Sequence, residues 1–294
     1  MNASSPAVAV VVMSIGPRPT LVAAVRSLVE QDEKLEVVVV HSGPGDPIHE
    51  LHAAGLAVHG VDGASSCVRV VSSPTTLMPG GARNLGVRST TAPIVAFLAD
   101  DCTAGDGWAR TRRIAHEEGH RAVASALLCH RPHHPVALAA HLSLFVNRMP
   151  LTRRDNVLLY GVSYTRNLFD EHGPFREDVR GGEDTDFNAR IGGAAQIAWR
   201  PDIQTIHRGT DRLSDFLSDQ VGRGRRMVRS RTALGDGMAG AVKTDALVRI
   251  GRTLKRSLHV VERRDLFVLI LAAPVMVAGG FAYFIGAATH GRDR

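Results

Sequence analysis

The stretch Ile94-Val95-Ala96-Phe97-Leu98-Ala99-Asp100-Asp101-Cys102 is an apolar run of strand length that ends in two adjacent carboxylates. A buried parallel strand is a continuous apolar run, and open α/β sheets bind ligands at the carboxyl ends of their strands. Two neighbouring ionised carboxylates repel each other unless a cation neutralises them, and a hard divalent ion suits oxygen ligands. The alternative is that one carboxylate caps the helix that starts near Gly107. The stretch therefore predicts a central strand with a candidate site at its end.

Strand-like and helix-like stretches alternate on both sides of this run. The pattern predicts an α/β fold with a doubly wound, mixed or parallel sheet over residues 1–208. Strands are expected at Ala7–Met13, Leu35–Val40, Val68–Val71, 94–98, Ala122–Leu128, Val157–Tyr160, Gln196–Trp199 and Asp202–His207.

Charge and hydropathy divide the rest of the chain. The whole chain has a net charge of +6, but residues 222–264 hold twelve Lys and Arg against three acids, which is +9 and leaves −3 for the remainder. Leu266–Thr289 then runs for 24 residues without a charge, which at ~1.5 Å per residue is roughly 36 Å and enough to cross a bilayer. We therefore expect a basic, helical, membrane-proximal segment at 209–264 and a single transmembrane helix with a short tail at 265–294.

The basic residues also predict an orientation. Lys255, Arg256, Arg263 and Arg264 precede the apolar helix, whereas only Arg292 and Arg294 follow it. The positive-inside rule then places residues 1–208 in the cytoplasm. Residues 222–264 contain no aromatic residue and adjoin a predicted membrane helix, so an anionic membrane surface is favoured and a nucleic-acid partner is not expected.

Composition narrows the class of protein further. A hydrophobic content of 44% argues against a disordered or fibrous chain. The cysteines Cys67, Cys102 and Cys129 are odd in number and lack metal-type spacing, which indicates a reducing compartment without a disulfide framework. No basic residue precedes the apolar N-terminal run, so a first strand is expected there instead of a signal peptide.

Further candidate residues lie beyond the first carboxylate pair. Glu183, Asp184 and Asp186 follow two glycines at a helix start, where they can serve either chemistry or the helix dipole, and Asp186 can pair with Arg190. His207 ends a predicted strand, as Asp101 does, and imidazole with carboxylate suits Mn²⁺. Neither a P-loop nor a Rossmann glycine fingerprint is present.

Together these pieces resemble glycosyltransferase family 2, with its GT-A fold. The resemblance rests on Val8–Met13, Glu36–Val40 with Gly43–Asp46, Gly81–Gly86, Phe97–Cys102 with Trp108, Gly173–Phe175, and Gly182–Phe187 with Arg190. Its order and spacing over most of residues 7–208 carry more weight than any single motif. Two departures are His41-Ser42, where relatives commonly carry Asp-Asp to hold the nucleobase, and the lack of Trp after Gln220–Arg223, which disfavours a processive synthase.

The resemblance implies a role for each candidate residue. Asp101 and His207 would bind a divalent metal, Mn²⁺ or Mg²⁺. Asp184 would be the catalytic base. The nucleotide-sugar donor would be bound by Ser14, His41, Arg83, Asn84 and Asp100, and the acceptor side would be formed by Glu183, Asp186 and Arg166.

The implied function is an inverting, metal-dependent transfer of a sugar from a nucleotide-sugar to an acceptor hydroxyl. A membrane location favours a lipid-linked acceptor or another glycan precursor of the cell envelope. The altered His41-Ser42 region keeps open a non-catalytic, membrane-anchored relative that binds a nucleotide-sugar or a partner. A nucleotidyltransferase is disfavoured because the loop after the first strand offers only Gly16-Pro17-Arg18.

Overall fold

The computed structural model of the chain describes residues 5–16, 19–58, 68–233 and 241–289, with the side chains of 229–247 and 249 left aside. The predicted turn at Pro17-Arg18, Cys67 and the tail residues Arg292 and Arg294 lie outside the described residues. By compactness the chain divides into a first unit, Met1–Ala126 with Leu158–Ile206, and a second unit, Leu127–Val157 with His207–Arg294. This division differs from the predicted one over 127–157, and the functional boundaries stay a prediction.

The fold is mixed α/β, as the sequence predicts. The strands are β1 (Val8–Ile15), β2 (Leu35–Ser42), β3 (Val68–Ser73), β4 (Ile94–Ala99), β5 (Cys102–Ala104), β6 (Ala122–Cys129), β7 (Ser163–Thr165) and β8 (Ile197–His207). The helices are α1 (Leu21–Val29), α2 (Pro47–Ala53), α3 (Pro79–Arg88), α4 (Trp108–Glu117), α5 (Pro135–Phe145), α6 (Asn167–His172), α7 (Glu183–Arg190), α8 (Leu213–Ala233), α9 (Ala241–Val260) and α10 (Leu266–Thr289).

The strands form one sheet in the order β3-β2-β1-β4-β7-β6-β8-β5. β3, β2, β1 and β4 are parallel, and β7 pairs antiparallel with both β4 and β6. Val8–Val12 and Val37–Val40 are almost fully buried because helices cover both faces of the parallel part. β4 contributes Val95 and Phe97 to the core of the first unit. The apolar runs of the sequence are thus the central strands.

The structure corrects the expected strand at Val157–Tyr160. That stretch has no strand pairing in the described sheet, and Leu158 is exposed, whereas the polar segment Ser163–Thr165 pairs with β4 and β6. A buried arginine makes the polar strand possible: Arg112 donates to Ser163 Oγ at 3.1 Å and to the Gly161 carbonyl at 3.2 Å. Buried polar groups need such partners. The two extended segments expected at 196–207 form the single strand β8.

The second unit contains the helices α5, α8, α9 and α10. Its apolar cluster joins Leu138 and Leu142 of α5 to Leu269, Ala272 and Met276 of α10. α8 packs closely on α10, because an added Cβ at Gly224 would overlap the Tyr283 carbonyl and one at Gly286 would overlap the Val221 carbonyl. Within the described residues, Arg263–Thr289 is the one helix long and apolar enough to cross a membrane, and 28% of its most apolar window is buried.

Candidate active site at the carboxyl edge of the sheet

The carboxyl ends of β1, β2 and β4 bring the predicted donor-side residues to one edge of the sheet. Ser14 of β1 pairs with His41 of β2, and Met13 pairs with Ala99, the last residue of β4. Asp100 and Asp101 follow Ala99 directly. Because the three strands are parallel and in register, Ser14, His41 and the two carboxylates lie at the same edge, as the sequence predicts.

Ser14, His41 and Ser42 form a buried polar group at this edge. Their exposed fractions are 1%, 3% and 0%. Among the described residues, which leave out 17–18 and 59–67, neither hydroxyl nor either ring nitrogen of His41 has a hydrogen-bond partner. Buried polar atoms in native proteins are almost always paired, so side chains left in this state indicate a place for a polar ligand. The sequence interpretation left Ser42 out of the site, although its position beside His41 at a strand end was the available signal.

The two carboxylates after β4 differ in their surroundings. Asp100 is buried at 6% exposure and Asp101 is half-buried. Asp101 Oδ1 accepts a long hydrogen bond of 3.4 Å from the Cys102 thiol. No three His, Cys, Asp or Glu side chains come together as a metal site in the part of the chain that the structure describes. The pair nevertheless fits a divalent ion in chemistry, because it offers hard carboxylate oxygens and leaves the remaining positions to ligand oxygens.

Arg83 and Glu183 are partners of each other. Arg83 Nε donates to Glu183 Oε1 at 3.2 Å, and the two side chains are only 13% and 7% exposed. The Arg83 guanidinium also stacks over the rings of Phe97 and Phe175, at 4.8 and 5.4 Å from their centroids. The pair joins α3 to the first turn of α7. The structure thus gives Arg83 and Glu183 a positioning role before any ligand is considered.

Asn84 has its hydrogen-bonding groups engaged by a neighbouring loop. Its Nδ2 donates to the Phe175 carbonyl at 2.9 Å and to Glu177 Oε1 at 2.7 Å, and its Oδ1 accepts from Phe175 N–H at 2.9 Å. These bonds use both amide hydrogens and the carbonyl oxygen. Asn84 therefore holds the 175–177 loop against α3, and the predicted contact with the donor is not favoured by its geometry.

The first turn of α7 carries the three acids predicted from the sequence, and they do different things. Asp186 forms the predicted i,i+4 ion pair with Arg190 at 3.0 Å. Asp184 is half-buried, and its Oδ1 accepts from Thr185 N–H at 2.8 Å. Glu183 is thus held by Arg83 and Asp186 by Arg190, and the role of Asp184 as the base stays a prediction.

Arg166 does not join these residues. Its guanidinium donates to the carbonyls of Ala92 and Val87 and to Thr90 Oγ1, at 2.8 to 2.9 Å. Thr165 beside it pairs with Ile94, the first residue of β4, whereas Asp100 follows the last residue. Arg166 thus lies at the opposite edge of the sheet, where it lines an open cleft of about 620 Å³. The guanidinium closes the end of α3 here, and the acceptor-side role of Arg166 stays a prediction.

His207 is the last residue of β8 and belongs to the second unit. Its ring packs edge-on against Phe145, with centroids 4.8 Å apart, and lies 6.0 Å from the ring of His141. Burial lowers the pKa of His141 to about 3, so that ring stays neutral near pH 7. The metal-binding role of His207 remains a prediction.

Comparisons with known proteins agree with this architecture. The family model described as glycosyl transferase family 2 matches residues 9–163. No curated protein sequence gave a significant match. Among solved structures, the mannosyltransferase PcManGT from Pyrobaculum calidifontis, in complex with GDP-Man and Mn²⁺, matches 99% of this chain and 89% of its own, with 17% identity and a TM-score of 0.58. TarS from S. aureus matches 96% of this chain and 55% of its own, with 13% identity and a TM-score of 0.50.

Proposed function

The chain belongs to glycosyl transferase family 2 and is a glycosyltransferase, and on this premise we propose that it transfers a sugar from a nucleotide-sugar to an acceptor hydroxyl, with inversion at the anomeric carbon. The observation that carries the proposal is the buried, unpartnered polar group of Ser14, His41 and Ser42 beside Asp100 and Asp101. The complex of PcManGT with GDP-Man and Mn²⁺ supports a nucleotide-sugar and a divalent metal for this chain as well.

In the proposed reaction, the nucleoside and the diphosphate of the donor are bound by different residues. Ser14, His41 and Ser42 would bind polar groups of the nucleoside, with the His41 imidazole and the two hydroxyls able to donate and accept. Asp100 and Asp101 would hold the divalent ion, which when bound neutralises charge on the departing diphosphate. His41 stands where relatives commonly carry an aspartate. Its imidazole would therefore recognise different hydrogen-bonding edges of the nucleobase than a carboxylate does.

Asp184 would act as the general base. It would accept the proton of the acceptor hydroxyl as that oxygen forms its bond to the anomeric carbon and the bond to the diphosphate breaks. The ion pair of Arg83 with Glu183 fixes the first turn of α7 and with it the Asp184 carboxylate. Attack from the face opposite the leaving group gives inversion.

A membrane location and a cytoplasmic catalytic domain are part of the proposal. The long apolar helix and the basic residues that precede it support the membrane location. Nucleotide-sugars are made in the cytoplasm, so the donor site belongs there. A lipid-linked acceptor or another envelope precursor is the acceptor class we favour.

The test is a panel of nucleotide-sugars, with and without Mn²⁺, read by thermal shift and by release of free nucleotide. At ~100 times its dissociation constant a ligand stabilises by about 2.7 kcal/mol, so the correct donor should raise Tm by several degrees. Ser14→Ala should shrink that rise, whereas Ser143→Ala in the second unit should not. Absence of any donor-dependent shift or turnover would refute the proposal, and binding without turnover would favour the non-catalytic alternative. NMR of the first product formed identifies its anomer and tests inversion.

A further inference from the structure

α10 has two unlike faces. One face is buried against α5, α8 and α9 through residues such as Leu269, Ala272 and Met276. The other exposes a stripe of large apolar side chains at helical spacing, here named the apolar stripe: Phe267, Ile270, Leu271, Phe281 and Ile285, between 46% and 69% exposed. A stripe of this length on a folded unit needs a covering partner.

α8 runs parallel to the second half of α10 at very short distance. Gly279 faces the ring of Phe216, Gly286 faces the Val221 carbonyl, and Gly224 faces the Tyr283 carbonyl, and an added Cβ at any of these glycines would overlap its neighbour. Residues 216–224 of α8 therefore lie beside residues 279–287 of α10. Because the two helices pack this closely, α8 must lie next to the second half of α10 in any position relative to a membrane.

The matched part of α8 is charged. Asp219 forms ion pairs with Arg223 and Arg226, and the side chains of all three are 40% to 50% exposed. At ~1.5 Å per residue, Gly279 lies roughly 20 Å from the start of α10, just beyond the midpoint of a helix of roughly 36 Å. Its neighbour on α8 is Phe216, and the adjacent Asp215 is exposed. Asp219 and Arg223 lie nearer the carboxyl end of α10. If α10 crossed a bilayer along its length, these charges would enter the hydrocarbon core, where ionised side chains are strongly disfavoured.

We propose that α10 binds an anionic membrane surface from one side, with the apolar stripe inserted into a single leaflet, instead of crossing the bilayer as the sequence suggests. A helix in this position buries its apolar face by ~5–10 Å and keeps its charged neighbours in the headgroup region or water. Both ends of α10 then stay on the side of the membrane where α8 lies.

Charge identifies the partner as an anionic lipid surface. Arg263 and Arg264 directly precede the stripe, and α9 exposes Arg252, Lys255 and Arg256 together with Leu258. Basic residues interleaved with exposed apolar side chains suit anionic headgroups above an acyl layer. A second copy of this chain would place the two basic sets close to each other, which disfavours a dimer on this face.

The topology test uses the full chain expressed in cells, with the three native cysteines replaced by serine. One variant carries Arg225→Cys on α8, and a second carries a cysteine tag appended after Arg294. A membrane-impermeant maleimide is applied to intact and to permeabilised cells. We expect the cysteine at position 225 and the C-terminal cysteine tag to be labelled to the same extent as each other, both in intact and in permeabilised cells. Labelling of the tag alone in intact cells would show a crossing helix and overturn the proposal.

The binding test uses flotation with vesicles of phosphatidylcholine, with or without phosphatidylglycerol. Phe267→Ser with Phe281→Ser should reduce binding to the anionic vesicles about tenfold or more. The control, Val29→Ser with Leu151→Ser, changes exposed apolar residues outside the stripe and should bind like the original chain. Arg252→Gln with Lys255→Gln should weaken binding and its salt dependence without changing an apolar residue.

Three results of the binding test would refute the proposal: unchanged binding of the Phe267 and Phe281 variant, no binding of the original chain, or a dimer in solution that the same variant dissociates. Thermal shift by the nucleotide-sugar is measured on every variant. A donor shift that survives the loss of vesicle binding separates this surface from the donor site, so failure of either proposal is recognisable by itself.

Discussion

Arg83 and Glu183 form a buried ion pair across 100 residues of chain, with Arg83 Nε 3.2 Å from Glu183 Oε1. The pair joins α3, which packs under the sheet, to the first turn of α7, which carries Asp184. Two of the predicted site residues therefore hold the candidate base in place, which is a different contribution from contact with a ligand.

Breaking this pair should cost stability. Removing one partner of a buried ion pair leaves an uncompensated charge and typically costs ~3–5 kcal/mol, so Arg83→Gln and Glu183→Gln should each lower the unfolding free energy by about that amount. The double variant should lose less than the sum. The exposed pair Arg121–Glu171, with 46% and 45% exposure, is the matched control and should change stability by about 1 kcal/mol or less. Urea unfolding gives the free energy of unfolding of the two single variants, the double variant and the control. A loss in the double variant equal to the sum of the two single losses would contradict the coupling of Arg83 and Glu183.

Asp101→Asn should abolish metal-dependent donor turnover and leave the fold intact. The residue is half-buried at a strand end, so the amide fits the same space while it loses the charge that holds a divalent ion. The measurement is nucleotide release against Mn²⁺ concentration, with circular dichroism for folding. Asp32→Asn, which breaks an exposed ion pair with Arg110, is the control. Full activity of Asp101→Asn would remove the metal site from this edge.

Asp184→Asn should keep donor binding and lose transfer. General base catalysis supplies ~10²–10⁴-fold in rate, so kcat should fall by at least that range while the donor-induced thermal shift persists. Asp178→Asn, an exposed aspartate paired with Arg176, controls for loss of a carboxylate nearby. Loss of donor binding together with transfer would instead mark Asp184 as a donor-binding or structural residue.

Stability should fall between about pH 6.5 and 4 because of His116. Burial, together with the nearby Arg112 guanidinium, lowers the pKa of His116 from 6.5 to about 4. In this pH range the unfolded chain binds a proton that the folded chain does not, so the stabilisation present above pH 6.5 is lost as the pH falls towards 4. Thermal melts from pH 7.5 to 4.5 should show a shallower decline for His116→Gln. The exposed His49→Gln should keep the original slope.

Some features of this protein follow from the sequence alone because they depend on neighbours in the chain. The apolar run 94–99 forms a buried strand when both faces of its sheet are covered. Asp100 and Asp101, which follow it in the chain, then lie at the carboxyl end of that strand. The 24-residue apolar run becomes α10 with the predicted bounds, since backbone hydrogen bonds in a long apolar segment are satisfied within a helix. The ion pair of Asp186 with Arg190 likewise needs only the i,i+4 geometry.

Other features were decided by the tertiary structure. A long polar side chain binds whichever acceptor the fold brings within about 3 Å, and for Arg166, Asn84 and Glu183 those partners lie 74 to 100 residues away in the chain. Spacing along the chain contains no measure of such distances, and so sequence reasoning predicts that these three residues belong to the ligand-binding set. The exposed stripe of α10 and the charged helix beside it are also products of packing: composition shows that the helix is apolar, and only its neighbours determine which face remains for a membrane.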